Sequence, residues 1–129
     1  MDLKAKVAVV TGSSRGFGKR IAETFSSYGA ESVITYLRGD EAEEQNAKAV
    51  GEALGSKLVL PLDVRDRESV RSVFEATKDT LGRLDILVNN AGINIPQDSV
   101  DVTEEAWDTV MDINLKACFF MAQAVGKVM

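Results

Sequence analysis

The sequence predicts an α/β protein built on a doubly wound parallel sheet, an incomplete one with strand order 3-2-1-4. Three observations predict it. Short β-branched runs alternate with helical patterns in the order β-α-β-α-β-α-β-α. The runs are continuously apolar rather than alternating, as expected of strands covered on both faces. The first run also enters its helix through a glycine-rich turn, TGSSRGFG, from Thr11 to Gly18. Right-handed crossovers then place strands one and four side by side, with their chains leaving to opposite faces. Ligands of such sheets bind in that crevice, beyond the carboxyl ends of the strands.

The first strand is expected over Lys6 to Val10, and the helix after it over Phe17 to Tyr28. That helix carries Ile21, Phe25 and Tyr28 on one side and stops at Gly29. The second strand is expected over Val33 to Leu37, followed by an acidic helix from Glu41 to Leu54 that Gly55 ends. Lys57 to Leu62 reads as the third strand. Asp66 is placed to cap a helix over Arg67 to Leu81, which buries Val70, Val73, Phe74 and Leu81 and stops at Gly82. Ile86 to Asn89 is the fourth strand. Thr103 then caps a helix whose opening Glu104 and Glu105 suit the positive end of a helix dipole.

Composition narrows the function. The 129 residues suffice for one domain with a core, and no linker, repeat or low-complexity stretch divides them. The apolar runs are too short to span a bilayer, and the N-terminus lacks the pattern of a signal peptide. Cys118 is the only cysteine, which excludes an internal disulfide and a thiolate zinc cluster; no metal is expected. These features fit a cytoplasmic protein. The net charge of −5 argues against a nucleic-acid partner. There is no histidine, so acid–base chemistry would use other groups.

Two loops carry the candidate site. Gly12, Gly16 and Gly18 form G-x-x-x-G-x-G, which is neither the P-loop pattern nor G-x-G-x-x-G. A sharp strand-to-helix turn favours residues without a Cβ. Such a turn also lets a phosphate approach the unpaired N–H groups of a helix start, and Ser14 adds a hydroxyl donor. A glycine turn can equally serve only to pack helix on strand. After strand four comes NNAG, Asn89 to Gly92. Ala91 and Gly92 leave room for a flat ring or a ribose, while asparagine amides can fix neighbouring loops or bind a sugar. An Asn-Gly-rich turn is also common at strand ends.

The tail, WDTVMDINLKACFFMAQAV, adds a stripe at helical spacing: Trp107, Val110, Met111, Asn114, Leu115, Cys118, Phe119 and Ala122. This stripe is expected to face the sheet or a partner helix. Asn114, if buried there, needs hydrogen bonds or costs about 1–3 kcal/mol.

Taken together, TGSSRGFG, NNAG and the asparagine of DINLKACFF resemble the classical short-chain dehydrogenase/reductases, in order and spacing over the whole chain. The resemblance implies a Rossmann-type fold, an NAD or NADP cofactor, and hydride transfer between nicotinamide and an alcohol or carbonyl carbon. It implies that Gly12, Ser14, Gly16 and Phe17 line the pyrophosphate and adenosine ribose, with Gly18 packing the helix. Asp63 and Val64 would meet the adenine. Asn90, Ala91 and Gly92 would lie along the ribose and nicotinamide. Asn114 would be the catalytic-type residue, supporting a water chain for proton delivery.

Strand two ends Thr35-Tyr36-Leu37 and then Arg38, without the acidic residue that favours NAD. Arg15 and Arg38 could converge on a 2′-phosphate, so NADP is expected over NAD, although Asp40 and Glu41 complicate the field. The family's proton donor is a tyrosine with a lysine four residues later. Tyr28 and Tyr36 are instead followed at that distance by Ser32 and Asp40. The chain is therefore expected to be the family's cofactor-binding half, ending at Met129 within a helix and inactive alone. Its bare fourth-strand edge predicts weak stability or self-association, with a homo-oligomer as the full-length form.

Within the family, the layout looks most like 3-oxoacyl-acyl-carrier-protein reductases, acting on a small-molecule carbonyl or alcohol. Sugar or polyol dehydrogenases of the gluconate or glucose type are the alternative. A non-catalytic nucleotide-binding half-domain is a third reading.

Overall fold

The β-branched runs pair as parallel strands. The computed structural model describes residues 1–129, with a four-stranded sheet in the order β3-β2-β1-β4. The strands are β1 (Val7–Val10), β2 (Glu31–Tyr36), β3 (Val59–Pro61) and β4 (Ile86–Val88). The helices are α1 (Gly16–Ser27), α2 (Glu41–Leu54), α3 (Arg67–Leu81), α4 (Glu104–Met111) and α5 (Ala117–Gly126). A π turn over Asp112–Lys116 joins α4 to α5, and a short 3-10 turn covers Ser99–Asp101. No helix is long and apolar enough to cross a membrane.

β2 begins at Glu31, two residues before its apolar run. The Glu31 N–H donates to the Lys6 carbonyl at 2.9 Å, and its carboxylate accepts from the Lys57 N–H at 2.8 Å. A charged residue enters the strand because its side chain ties β2 to the approach to β3. β3 and β4 are shorter than the runs that mark them, since each is a sheet edge paired on one side only.

Alternate residues of β1 and β2 face opposite layers. Val9 and Val33 join Val70, Val73, Phe74, Met121 and Val125 under α3 and α5. Val10 and Ile34 join Ala22, Ala47 and Val50 under α1 and α2. Asp66 caps α3 by accepting from the Glu68 N–H at 3.0 Å, and left-handed Gly55 and Gly82 end α2 and α3. Both ends match the sequence reading.

Two faces differ from it. On α1 the sheet side is formed by buried Gly18 and Ala22, four residues apart, while Ile21 and Phe25 flank it and Tyr28 is exposed. Small residues let this helix approach β1 closely. On α5 the core side chains are Ala117, Met121 and Val125. The expected stripe does not face the sheet as a whole: Trp107, Leu115 and Phe119 are 60–63% exposed, while Val110, Met111 and Cys118 are half-buried. α5 is apolar nearly all round, so its spacing does not select a face. The π turn also adds a residue that rotates α5 against α4.

At the amino end of the sheet, Asp85 fixes β1 to β4. Its carboxylate accepts from the Val7 N–H at 2.9 Å and takes both arms of Arg83 at 2.7 and 2.8 Å. The guanidinium first, and then the Val7 N–H, hold its pKa down at about 2.

Candidate functional site

At the carboxyl end, β1 and β4 release their chains into adjacent loops. Buried hydroxyls set the geometry. Thr35, on β2, accepts from the Gly12 N–H at 3.1 Å and donates to the Val10 carbonyl at 3.1 Å. Ser13 donates to the same carbonyl at 2.8 Å and accepts from the Thr35 N–H at 2.9 Å. Thr11 Oγ1 accepts from the Asn90 and Ala91 N–H groups at 2.9 and 2.8 Å. The Asn90 amide donates to the carbonyls of Thr11 and Gly12 at 2.9 and 3.2 Å. This side chain fixes one loop against the other, one of the two uses its type allows.

The glycines follow from that closeness. Gly12 and Gly16 have φ of +63° and +56°, a region that penalises a Cβ. A Cβ at Gly18 would overlap the Gly12 carbonyl oxygen and the Asn90 amide. At Gly16 it would meet nothing within 4 Å. The loop is therefore tight underneath and open above. α1 starts there with no side-chain cap and no acidic residue in its first turn.

Both loops border a cavity of about 490 Å³. Of the residues expected at the site, Gly12, Ser14, Arg15, Gly16, Asp63, Val64, Asn90, Ala91 and Gly92 line it. Phe17, Gly18, Arg38 and Asn114 do not. Phe17 is 85% exposed on the first turn of α1, and Gly18 is buried behind the loop. Arg38 pairs with Asp66 at 3.3 Å. Asn114, in the π turn, holds the loop after β4 through both its amide atoms. Nδ2 donates to the Ile93 carbonyl at 2.8 Å, and Oδ1 accepts from the Ile93 N–H at 2.9 Å.

Four of the cavity's charged side chains form two ion pairs. Arg65 grips Asp63 with two bonds of 3.0 and 2.8 Å, which lowers the Asp63 pKa and raises that of Arg65. Arg15 meets Glu43 at 2.9 Å, and Ser14 donates to the same carboxylate. Sequence reasoning missed Glu43, Arg65, Thr109 and Ile113 in the lining, and Thr11 and Thr35 beneath it. Their only signal was local. Arg65 stands two residues beyond Asp63, and Glu43 three beyond the Asp40 cap.

The sequence model of the short chain dehydrogenase family matches residues 6–129. The chain belongs to the short-chain dehydrogenase family. Members of this family use NAD or NADP, and the open glycine loop, uncapped helix start and adjoining cavity suit such a dinucleotide. The chain is 38% identical over 118 residues to 3beta-hydroxysteroid dehydrogenase 1 of Eggerthella lenta, covering 92% of this chain and 45% of that protein. It is 37% identical over 130 residues to a 3-oxoacyl-acyl-carrier-protein reductase of Escherichia coli K12, covering 100% of this chain and 51% of the reductase. A short chain dehydrogenase from Burkholderia cenocepacia, solved in complex with NADP, superposes with a TM-score of 0.86 at 34% identity, covering 100% of this chain and 53% of that one. The chain thus spans about half the length of these relatives.

Proposed function

We propose that this protein binds NADP(H) at the β1–β4 crevice for hydride transfer to or from a carbonyl or secondary-alcohol carbon, as in a 3-oxoacyl-acyl-carrier-protein reductase. The observation that carries the cofactor reading is the uncapped, Cβ-free start of α1 opening on the cavity that the NNAG loop completes. In this reading, the backbone at Gly12, Gly16 and Phe17 holds the pyrophosphate, and Ser14 the adenosine ribose. Asp63 and Val64 receive the adenine, with Arg65 steadying the carboxylate. Ala91 and Gly92 border the nicotinamide ribose, on a loop locked by Asn90. The bound dinucleotide would supply or accept the hydride.

Arg15, on the cavity rim, supports NADP over NAD, whereas Arg38 is paired with Asp66 and does not line the cavity. Asn114 is assigned a positioning and proton-delivery role, supported by its place in a π turn bound to the loop after β4. Neither tyrosine of the chain is assigned the proton donor. Tyr28 lies at the end of α1, and Tyr36 is buried under the adenosine side. The exposed Trp107, Leu115 and Phe119 support self-association through α4 and α5.

Parallel fluorescence titrations with NADPH and NADH test this reading. Tighter binding of NADPH supports it. NADH bound about tenfold tighter, roughly 1.4 kcal/mol, would contradict the NADP assignment.

A further inference from the structure

The cavity holds a carboxylate for which the dinucleotide reading has no use. Glu43 lies on the first turn of α2 with its side chain only 15% exposed. One oxygen is 2.9 Å from Arg15 Nε, and the other accepts from Ser14 Oγ. Its place relative to the Asp40 cap is that of a capping box, in which the glutamate folds back to the cap N–H. Here the Asp40 N–H donates to the Leu37 carbonyl at 3.3 Å, and the Glu43 side chain reaches across to the glycine loop. One carboxylate therefore holds both groups assigned to the adenosine ribose and its 2′-phosphate.

We propose that Glu43 is a specificity-determining residue: it competes with the 2′-phosphate for Arg15 and Ser14, and so limits the preference for NADP(H) over NAD(H). This inference rests on the dinucleotide reading above. A 2′-phosphate, with a charge of about −1.5 to −2, must take Arg15 from Glu43 or share it at like-charge distance. A 2′-hydroxyl meets no such repulsion and can donate to the same carboxylate. Glu43 thus weakens NADPH binding more than NADH binding. Arg38 stays outside this competition, held by Asp66.

The test is the ratio of NADH to NADPH dissociation constants in wild type, Glu43→Gln and Glu43→Gln/Arg15→Ala. 2′,5′-ADP and 5′-AMP serve as probes of the adenosine end. Glu43→Gln should tighten NADPH and 2′,5′-ADP about fivefold, leave NADH and 5′-AMP unimproved, and lose the gain when Arg15 is removed. A ratio unchanged by Glu43→Gln in a protein with wild-type melting overturns this inference and leaves the dinucleotide reading standing. Wild type that binds neither dinucleotide refutes both. The wild-type protein offers a check without substitution. Saturating 2′,5′-ADP should shift the Arg15 Nε–H resonance and 5′-AMP should not; an equal response to both also overturns the proposal.

Discussion

α1 begins differently from α2, α3 and α4. Asp40 closes the first turn of α2 by accepting from the Glu43 N–H at 3.0 Å. Asp66 does so for α3 at 3.0 Å, and Thr103 for α4 by accepting from the Ala106 N–H at 3.1 Å. Each of these helices also carries acidic residues in its first turn. α1 follows Arg15, with no side-chain cap and no acidic residue. A Ser, Thr, Asp or Asn cap adds about 1 kcal/mol, so the chain forgoes ordinary stability where its two loops meet. α2, α3 and α4 satisfy their own dipoles, and α5 continues from the π turn. In the proposed reading, α1 keeps its N–H groups for an anion brought from outside.

The largest expected effect breaks this difference at the ligand. Gly16→Asp puts a carboxylate into open space above the loop. NADPH affinity should fall at least about a hundredfold by like-charge repulsion, while melting shifts little beyond the strain of a non-glycine residue at φ +56°. Fluorescence titration and thermal melts measure the two separately. Gly18→Ala attacks the fold below the loop. The new methyl overlaps the Gly12 carbonyl and the Asn90 amide, so about 1–3 kcal/mol of stability should be lost. Urea unfolding would show this as a lower midpoint at an unchanged slope.

Thr103→Ala supplies the contrasting case. It should cost about 1 kcal/mol of stability and leave NADPH affinity as it is, since that cap serves α4 alone. A matched loss of binding would erase the distinction between the helix starts.

The smallest effect lies at the opposite end of the sheet, where charge is fully paired. Asp85 has a lower pKa folded, about 2, than unfolded. On acidification the unfolded chain takes up the proton first. The stability from Asp85 is therefore complete above about pH 4 and is lost as pH falls toward 2. Chemical unfolding across that window should show a shallower decline for Asp85→Asn than for wild type.

The sheet order and the two loops were legible in the sequence because each rests on local chemistry. Buried parallel strands must be apolar, and a strand that turns sharply into a helix favours glycine, at 12 and 16 for a positive φ and at 12 and 18 for a close neighbour. The cap residues Asp66 and Thr103 were legible for the same reason. What could not be read depends on packing between distant segments. Glu43 reaches Arg15 from a different helix, and Thr35 supports Gly12 from a different strand. Gly18 and Ala22, rather than the larger apolar residues, face the sheet because depth of approach is a tertiary quantity. Which side of α5 faces the sheet was not legible because nearly every side of that helix is apolar, and the π turn before it breaks the count. Asn114 is exposed in the π turn. It bonds the backbone of Ile93 rather than the core.

The most direct test of the central claim is the amide spectrum of this 14.0 kDa chain during an NADPH titration. The N–H resonances of Gly16, Phe17 and Gly18 should move most, together with those of Val64 and of Ala91 and Gly92, while the capped first turns of α3 and α4 stay still. Saturable binding that leaves the start of α1 unmoved would contradict the account.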